Sequence, residues 1–424
     1  MNEKLLQFIW KNALYNKESL RDTLGKPIRV QHPGYLNTNA GPDFLNAKIQ
    51  IGTTLWAGNV EIHINGKEWF AHNHQHDVAY NNVILHVCLT EADVAVTQDN
   101  NQVQALNLEG RIDAKLLRKY EYMMAAHQNI PCQNLLSDTT TLDWIENHDK
   151  LLVERLEKKM ALILDDLNKH TGDWDALLYN YLAAALGQKV NAVPMKILSS
   201  FLPFRLIQQH VEQPLKIEAL LFGSAGLLSP HYKEAYPRLL LKEYQFLTRK
   251  FGLTELDPSI WKFMRLRPAA FPTIRIAQLA ALLNNKRGLL RIILEEEKLD
   301  NVMLHLSATP AEYWQQHFKF DTEVKLKSTV LGIQTQYSIC INALIPILFS
   351  YGKIRNIQDH CDKALSWLEQ IPAENNKSIR LFNHASIPVE NAQHSQAILQ
   401  LYNNYCTFKR CLHCGIGNKL LSKL

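Results

Sequence analysis

The hydrophobic period of this chain changes once, and that change limits the folds open to it. Between residues 45 and 64 apolar side chains recur at every second position: Leu45, Ala47, Ile49 and Ile51, then Val60, Ile62 and Ile64. Alternation of this kind puts one set of side chains on each face of a half-buried strand. Ile28–His32 is short and extended, and Val83–Leu89 is an apolar run suited to a buried strand. Gly52-Thr53-Thr54 supplies a hairpin turn between the two alternating runs. Residues 3–24 carry Leu5, Leu6, Ile9, Ala13 and Leu14 at helical spacing, and the polar stretch 68–82 has room for a short helix. The expected N-terminal order is helix, three strands, short helix, strand.

From about residue 142 the period becomes helical. Trp144–Lys169 is a long amphipathic helix, and Trp174–Leu186 stops at Gly187. Further helices are expected near 192–200, 214–223, 233–251, 273–284, 310–318, 331–349, 357–370 and 391–405, punctuated by Pro203, Pro214, Pro258, Pro268 and Pro272. The expected class is α+β. A small mixed α/β sheet domain (1–130) precedes a larger, mainly α-helical domain (142–405) and a cysteine-containing segment (406–424).

Hydrophobic residues make up 46% and charged residues 21% of the 424, which excludes a disordered polar chain. Residues 1–130 hold 12 Lys+Arg against 13 Asp+Glu, and the remainder 34 against 28, so the excess of +5 lies in the later part. That permits a polyanionic partner without demanding one. The N-terminus is broken by charge and shows no cleavage-site pattern, and the apolar stretch Ile341–Ser350 is too short to span a bilayer. A cytoplasmic protein with no membrane partner is expected. Oligomeric state is not readable. The 7 unevenly spaced Cys fit a reducing compartment.

The densest chemistry lies in Gly41-Pro42-Asp43-Phe44 and Gly58-Asn59-Val60-Glu61-Ile62-His63. Glu61 and His63 lie two apart on one strand, so both leave the same face. If the strands pair as a hairpin, Asp43 meets Glu61 at one end, and two carboxylates there suit Mg²⁺ or Mn²⁺. A cation so held polarises a phosphodiester, with His63 as ligand or proton carrier. The same residues also read as a turn followed by a solvated strand face.

Pro42-Asp43, a gap of 17 residues and Glu61-Ile62-His63 resemble the PD-(D/E)XK nuclease superfamily. His63 stands where that superfamily has Lys; the very-short-patch mismatch-repair endonucleases among its relatives work with Asp and His instead. The resemblance covers residues 1–90 and implies a nuclease-like core and a nucleic-acid substrate.

His72, His74 and His76, with Asp77, Trp69 and Tyr80, form a second cluster; six of the 17 His fall within residues 32–86, so the grouping exceeds composition. They are expected as Zn²⁺-type ligands or as general acids beside Asp43 and Glu61. Near the C-terminus Cys406, Cys411 and Cys414 stand as C-x₄-C-x₂-C. A C-x₂-C knuckle suits Zn²⁺ or an iron–sulfur cluster, with Cys132 as the remote fourth ligand. Lys409, Arg410 and Lys419 are expected to depress the thiol pKa values. Cys340 and Cys361 read as core thiols. Arg265, Arg267 and Arg275 flank Pro268 and Pro272 and offer a phosphate grip, or else a corner between helices.

The segments GPDFLNAKI, GNVEIHI, YNNVILHV, IEALLFGSAGLL, WKFMRLRPAAFPTIRIAQLA and YCTFKRCLHCGIG resemble, end to end, the bacterial domain of unknown function 2851. That resemblance implies one intact protein and supplies no activity. The function expected from the residues is a divalent-metal-dependent phosphodiesterase acting on nucleic acid. A non-catalytic scaffold with a structural cysteine site and a metal-dependent small-molecule hydrolase are the alternatives.

Overall fold

The computed structural model describes residues 1–284, 288–307 and 309–423. They divide into two compact units. The first holds Met1–Asp149, Arg380–Ile387 and Ile398–Leu424; the second holds Lys150–Ile379 and Pro388–Ala397.

The first unit is built on a mixed sheet. Helix α1 (Glu3–Lys11) leads into strands β1 (Ile28–His32), β2 (Phe44–Ile51) and β3 (Thr54–Asn65), then a short helix α2 (Glu68–Ala71) and strand β4 (Val83–Thr90). A further strand, β5 (Gln102–Asn107), and helix α3 (Ala114–Ala125) follow. The strand order is β1-β2-β3-β4-β5, with the two-residue pieces Tyr35–Leu36 and Ala95–Val96 added on β2 and β5. β1, β2 and β3 pair antiparallel; β3, β4 and β5 pair parallel. The expected α+β architecture and the N-terminal order of elements are therefore present. β4 is central, which explains why Val83, Leu85, Val87 and Cys88 are buried without alternation.

Two local features set the register that matters below. At the hairpin end Ile51 faces Thr54 across Gly52-Thr53, but Phe44 faces Val60 and Ala47 faces Gly58. One extra residue therefore sits in β2, with Asn46 at φ +58°. Gly58 is where β3 meets the entry to β4. A Cβ there would lie 2.4 Å from Ile84 Cγ2 and 2.7 Å from the Asn82 carbonyl.

Several details depart from expectation. The helix expected over 3–24 ends at Lys11: Asn12 caps it, and Ala13 takes φ +51°, which turns the chain away. β5 and α3 lie beyond the expected elements of this unit, although Val103 and Ala105 alternate with Gln102 and Gln104, and Leu116, Tyr120 and Met123 fall on one face of α3. The expected helix 310–318 is a short 3₁₀ turn, Glu312–Gln315, followed by a strand, His317–Lys319.

The second unit is helical. The stretch Trp174–Phe201 is two helices joined at a kink: the first stops at Gly187 as expected, Gln188 takes φ +51° and Asn191 is also non-helical, and the second covers the helix expected near 192–200. Ile341–Ser350, expected to be too short for a bilayer, lies inside a helical stretch Ile333–Arg355 of 23 residues that is long and apolar enough by length and composition. Of its most apolar window, 67% is buried within the protein, as in a core helix.

Candidate metal centre

The register Phe44↔Val60 places Asp43 opposite Glu61. The two are latched in both directions. The Asp43 backbone N–H donates to Glu61 Oε2 at 2.9 Å, and the Ile62 N–H donates to Asp43 Oδ2 at 3.1 Å. Gln7, from α1, donates to the other Asp43 oxygen at 2.8 Å. Asn37 holds the approach loop by donating to the carbonyls of Pro42 and Ala40.

His63 leaves the same face of β3 as Glu61 and is 1% exposed. The parallel register aligns Glu61 with His86 and His63 with Cys88. His63 Nδ1 and His86 Nε2 share one hydrogen bond of 2.9 Å. That bond leaves His63 Nε2 facing Glu61 Oε1 at 3.6 Å.

The segment after β3 folds over this face. Glu68 Oε2 accepts from the N–H groups of Ile64 and Asn65, so α2 starts immediately beyond the strand. His72 caps α2, and Asn73 at φ +62° reverses the chain into the turn His74–His76. Asp77 caps the next turn by accepting from the Ala79 N–H. His72 Nδ1 comes within 3.3 Å of His63 Nε2, and His74 Nε2 within 3.4 Å of Glu61 Oε1. Tyr80 stacks on His74 at 3.9 Å, and Trp69 closes the inner wall with its Nε1 donating to the Val96 carbonyl.

One ligand atom from each of His63, His72 and His74 lies within 4.8 Å of the others. His63 and His74 are buried and His72 is exposed, so the group opens on one side. Donors at 2.0–2.2 Å around one tetrahedral ion stand ~3.4 Å apart. The 3.3, 3.4 and 3.6 Å separations are close to that value.

The electrostatics agree with a cation there. Burial raises the pKa of Glu61, and Asp43 beside it raises it further; burial, then Glu3, raises that of Asp43. Burial and the neighbouring imidazoles push His63 down to about 3, while burial and His72 push His74 down to about 4. Burial also pushes His86 down to about 4. Neutral imidazoles are the ligating form, and a divalent cation would relieve the repulsion between the buried Glu61 and the half-buried Asp43. His74 Nε2 is buried and has no hydrogen-bond partner, which a metal ligand would not need. The donors present fit a divalent ion.

The other singled-out residues fall elsewhere. His76 is exposed at the end of its turn and outside the three-histidine group. Glu3 and Gln7, which the sequence did not single out, sit one turn apart on α1, and Gln7 Nε2 also donates to Glu3 at 3.1 Å. A polar pair at i, i+4 on an amphipathic helix was the available signal. In the second unit Arg265 and Arg267 are exposed on a loop, whereas Arg275 is buried and donates to Gln278 Oε1 at 2.8 Å. Arg275 therefore does not join the other two as a solvent-facing grip. Cys340 and Cys361 are buried in that unit, and no cysteine forms a disulfide.

The thiols of the first unit correct one expectation. Lys419 is engaged by Asp143 and Glu146, and burial outweighs Lys409, so the pKa of Cys411 is pushed up to about 12. Burial raises Cys132 and Cys406 as well.

A family model described as protein of unknown function (DUF2851) matches residues 3–377. Neither the curated proteins nor the solved structures contain a match.

Proposed function

The chain belongs to that family, and we propose that its N-terminal unit is a divalent-metal-dependent phosphodiesterase acting on nucleic acid. One observation carries the reading. The reciprocal latch between Asp43 and Glu61 stands beside three histidines at one end of a helix, three-strand, helix, strand core. That order and the Asp43…Glu61-Ile62-His63 spacing are what the PD-(D/E)XK resemblance implies.

Glu61, His63 and His74 are the buried donors, and His72 is the open one. Three buried ligands with an accessible fourth side are the arrangement of a site that reacts. Imidazole-rich donors favour Mn²⁺ or a softer ion over Mg²⁺. A divalent cation there polarises a phosphodiester and lowers the pKa of an adjacent water.

The protein's own groups do the rest. Gln7 and the Ile62 N–H fix both Asp43 oxygens, so this carboxylate holds one orientation toward the cation and the water. His86 fixes the ring of His63, as partners of metal-ligating histidines do. His72, exposed, completes the donor set on its open side, where a phosphodiester would approach. Trp69 and Tyr80 keep water from the inner side.

The test uses purified full-length protein with Mn²⁺, Mg²⁺ or Zn²⁺ on labelled single strands, duplexes and branched junctions of DNA and RNA. Cleavage that disappears in Glu61→Gln supports the reading. Wild-type protein inert toward every substrate with every metal makes the scaffold alternative the better one.

A further inference from the structure

We infer that Cys132, Cys406, Cys411 and Cys414 are the ligands of one thiolate-bound metal centre that fastens the C-terminal segment to the sheet unit. All four belong to the first unit, although 273 residues separate Cys132 from Cys406 in the chain.

Backbone geometry brings them together. Cys132 opens the turn Gln133–Asp138, and Cys414 is the N-cap of the helix Gly415–Ser422. That helix packs on this turn and on α3. Cys406 ends a π-helical turn, Tyr402–Cys406, and Cys411 begins the 3₁₀ turn Cys411–His413. Between them Lys409 takes φ +49°, which folds the C-x₄-C loop back on itself.

The knuckle is closely packed. A Cβ on Gly417 would lie 2.2 Å from the Cys411 carbonyl oxygen, so the helix rests directly on the C-x₂-C loop. Side chains hold the strip beside Cys132 from both directions. Lys409 Nζ donates to the Met124 carbonyl at 2.6 Å, and Lys423 Nζ to the Asp138 carbonyl at 2.9 Å. Lys119 Nζ returns to the carbonyls of Leu420 and Lys423.

The sulfurs are near enough to interact electrostatically. Cys406 is influenced by Cys414, Cys132 and Cys411, and Cys132 by Cys414 and Cys411. Cys132, Cys411 and Cys414 are buried. Hydrophobic packing alone gives no reason to gather four thiols from three turns and a helix cap. A thiophilic metal does, since it needs four sulfurs and binds them as thiolates. Among the described residues, three donors within 4.8 Å of one another occur in the histidine group and not among these sulfurs. A lone zinc, with Zn–S near 2.3 Å, needs sulfurs ~3.8 Å apart. An iron–sulfur cluster, with several metal atoms, fills a wider cage.

The experiment measures metal in full-length protein purified anaerobically from cells supplied with both iron and zinc. One centre per chain is expected. Zinc without colour marks the mononuclear centre; iron with acid-labile sulfide and visible absorption marks the cluster. Cys132→Ser, Cys411→Ser and Cys414→Ser should each drop this metal to background, while Cys340→Ser and Glu61→Gln keep it. The Glu61→Gln arm separates this centre from the histidine site, so either reading can fail alone. Should the serine variants not fold, wild type decides. Folded wild-type protein that holds neither metal, with four thiols reacting equally fast with and without chelator, overturns the inference. So does a folded Cys132→Ser protein with undiminished metal.

Discussion

Asp43 and Glu61 hold each other in place through the backbone: the amide of Asp43 binds the Glu61 carboxylate, and the amide next to Glu61 binds Asp43. Each carboxylate thus spends one oxygen on the partner strand; the other oxygen of Asp43 accepts from Gln7, that of Glu61 faces His63 and His74, and the two acids still raise one another's cost of charge. Hydrogen bonding at the strand end offsets a repulsion that folding alone would not favour.

That tension gives the first prediction. Mn²⁺ should raise the melting temperature of wild-type protein, because a ligand at 100 times its Kd adds about 2.7 kcal/mol. In Glu61→Gln the shift should vanish while the metal-free melting temperature stays level or rises, since a buried charge has been removed. Differential scanning calorimetry with and without Mn²⁺ measures both. An equal Mn²⁺ shift in wild type and variant would falsify the ligand role of Glu61.

Activity should follow the same residues. Asp43→Asn and Glu61→Gln should each lower cleavage on the order of 10²-fold or more, and the double variant should be little worse than either, since Asp43 and Glu61 hold one another and act through one site. His63→Lys should retain more activity than His63→Ala. A double variant whose loss is the product of the two single losses would mean independent roles.

His86 touches His63 rather than the site itself. His86→Leu should weaken Mn²⁺ affinity about 10–100-fold by freeing the His63 ring, as loss of such partners does elsewhere. Isothermal titration of Mn²⁺ reports this directly. Unchanged affinity would reduce His86 to packing.

Acid should loosen the C-terminal helix at a defined place. Asp143 accepts from Lys423 at 2.9 Å and from the Thr140 N–H and hydroxyl, and these partners hold its carboxyl far below the usual range. A carboxyl lowered on folding stabilises the native state above its unfolded pKa of ~3.9 and loses that contribution as pH falls below it. Thermal melts of wild type should therefore steepen in their pH dependence below ~4, and those of Asp143→Asn should not. Parallel curves would remove Asp143 from the account.

Gly58 tests the register. Gly58→Ala drives a methyl group into Ile84 and the Asn82 carbonyl at the point where β3 turns onto β4. A loss of about 1–3 kcal/mol is expected from chemical denaturation. Cleavage should fall as well, because the same stretch aligns Glu61 with His86. Wild-type stability would show that the strands can part there without cost.

The strands carrying the site were legible because their faces differ. Val60 and Ile62 point one way, Glu61 and His63 the other, and a period of two survives any detail of packing. Whether Asp43 met Glu61 was not legible. Their meeting depends on one extra residue near Asn46, and a bulge leaves little mark in composition. The histidines were visible as a cluster, but the choice among them was not. Asn73 in the left-handed region turns His74 inward and leaves His76 outside. Glu3 and Gln7 stayed hidden because α1 reads first as a hydrophobic stripe, and the polar pair at i, i+4 on its other side gains meaning only once Asp43 is placed against it. The stop at Gly187 was legible, because Gln188 leaves the helical region there and a second helix follows Asn191; the expected helix 310–318 was not, since His317 pairs with Glu323 in a two-stranded ribbon.

Helix α1, which lends Gln7 to Asp43, also rests on the turn Cys411–His413. Two stretches about 400 residues apart in the sequence therefore complete one another. The 240 residues of the second unit are made in between, about 10–50 s at ordinary elongation rates. Through that interval the sheet exists without the strip that braces its first helix. A nascent chain within that interval carries the carboxylates and histidines with α1 unbraced. Translation order thus separates the making of the donors from the bracing of the helix that holds Asp43.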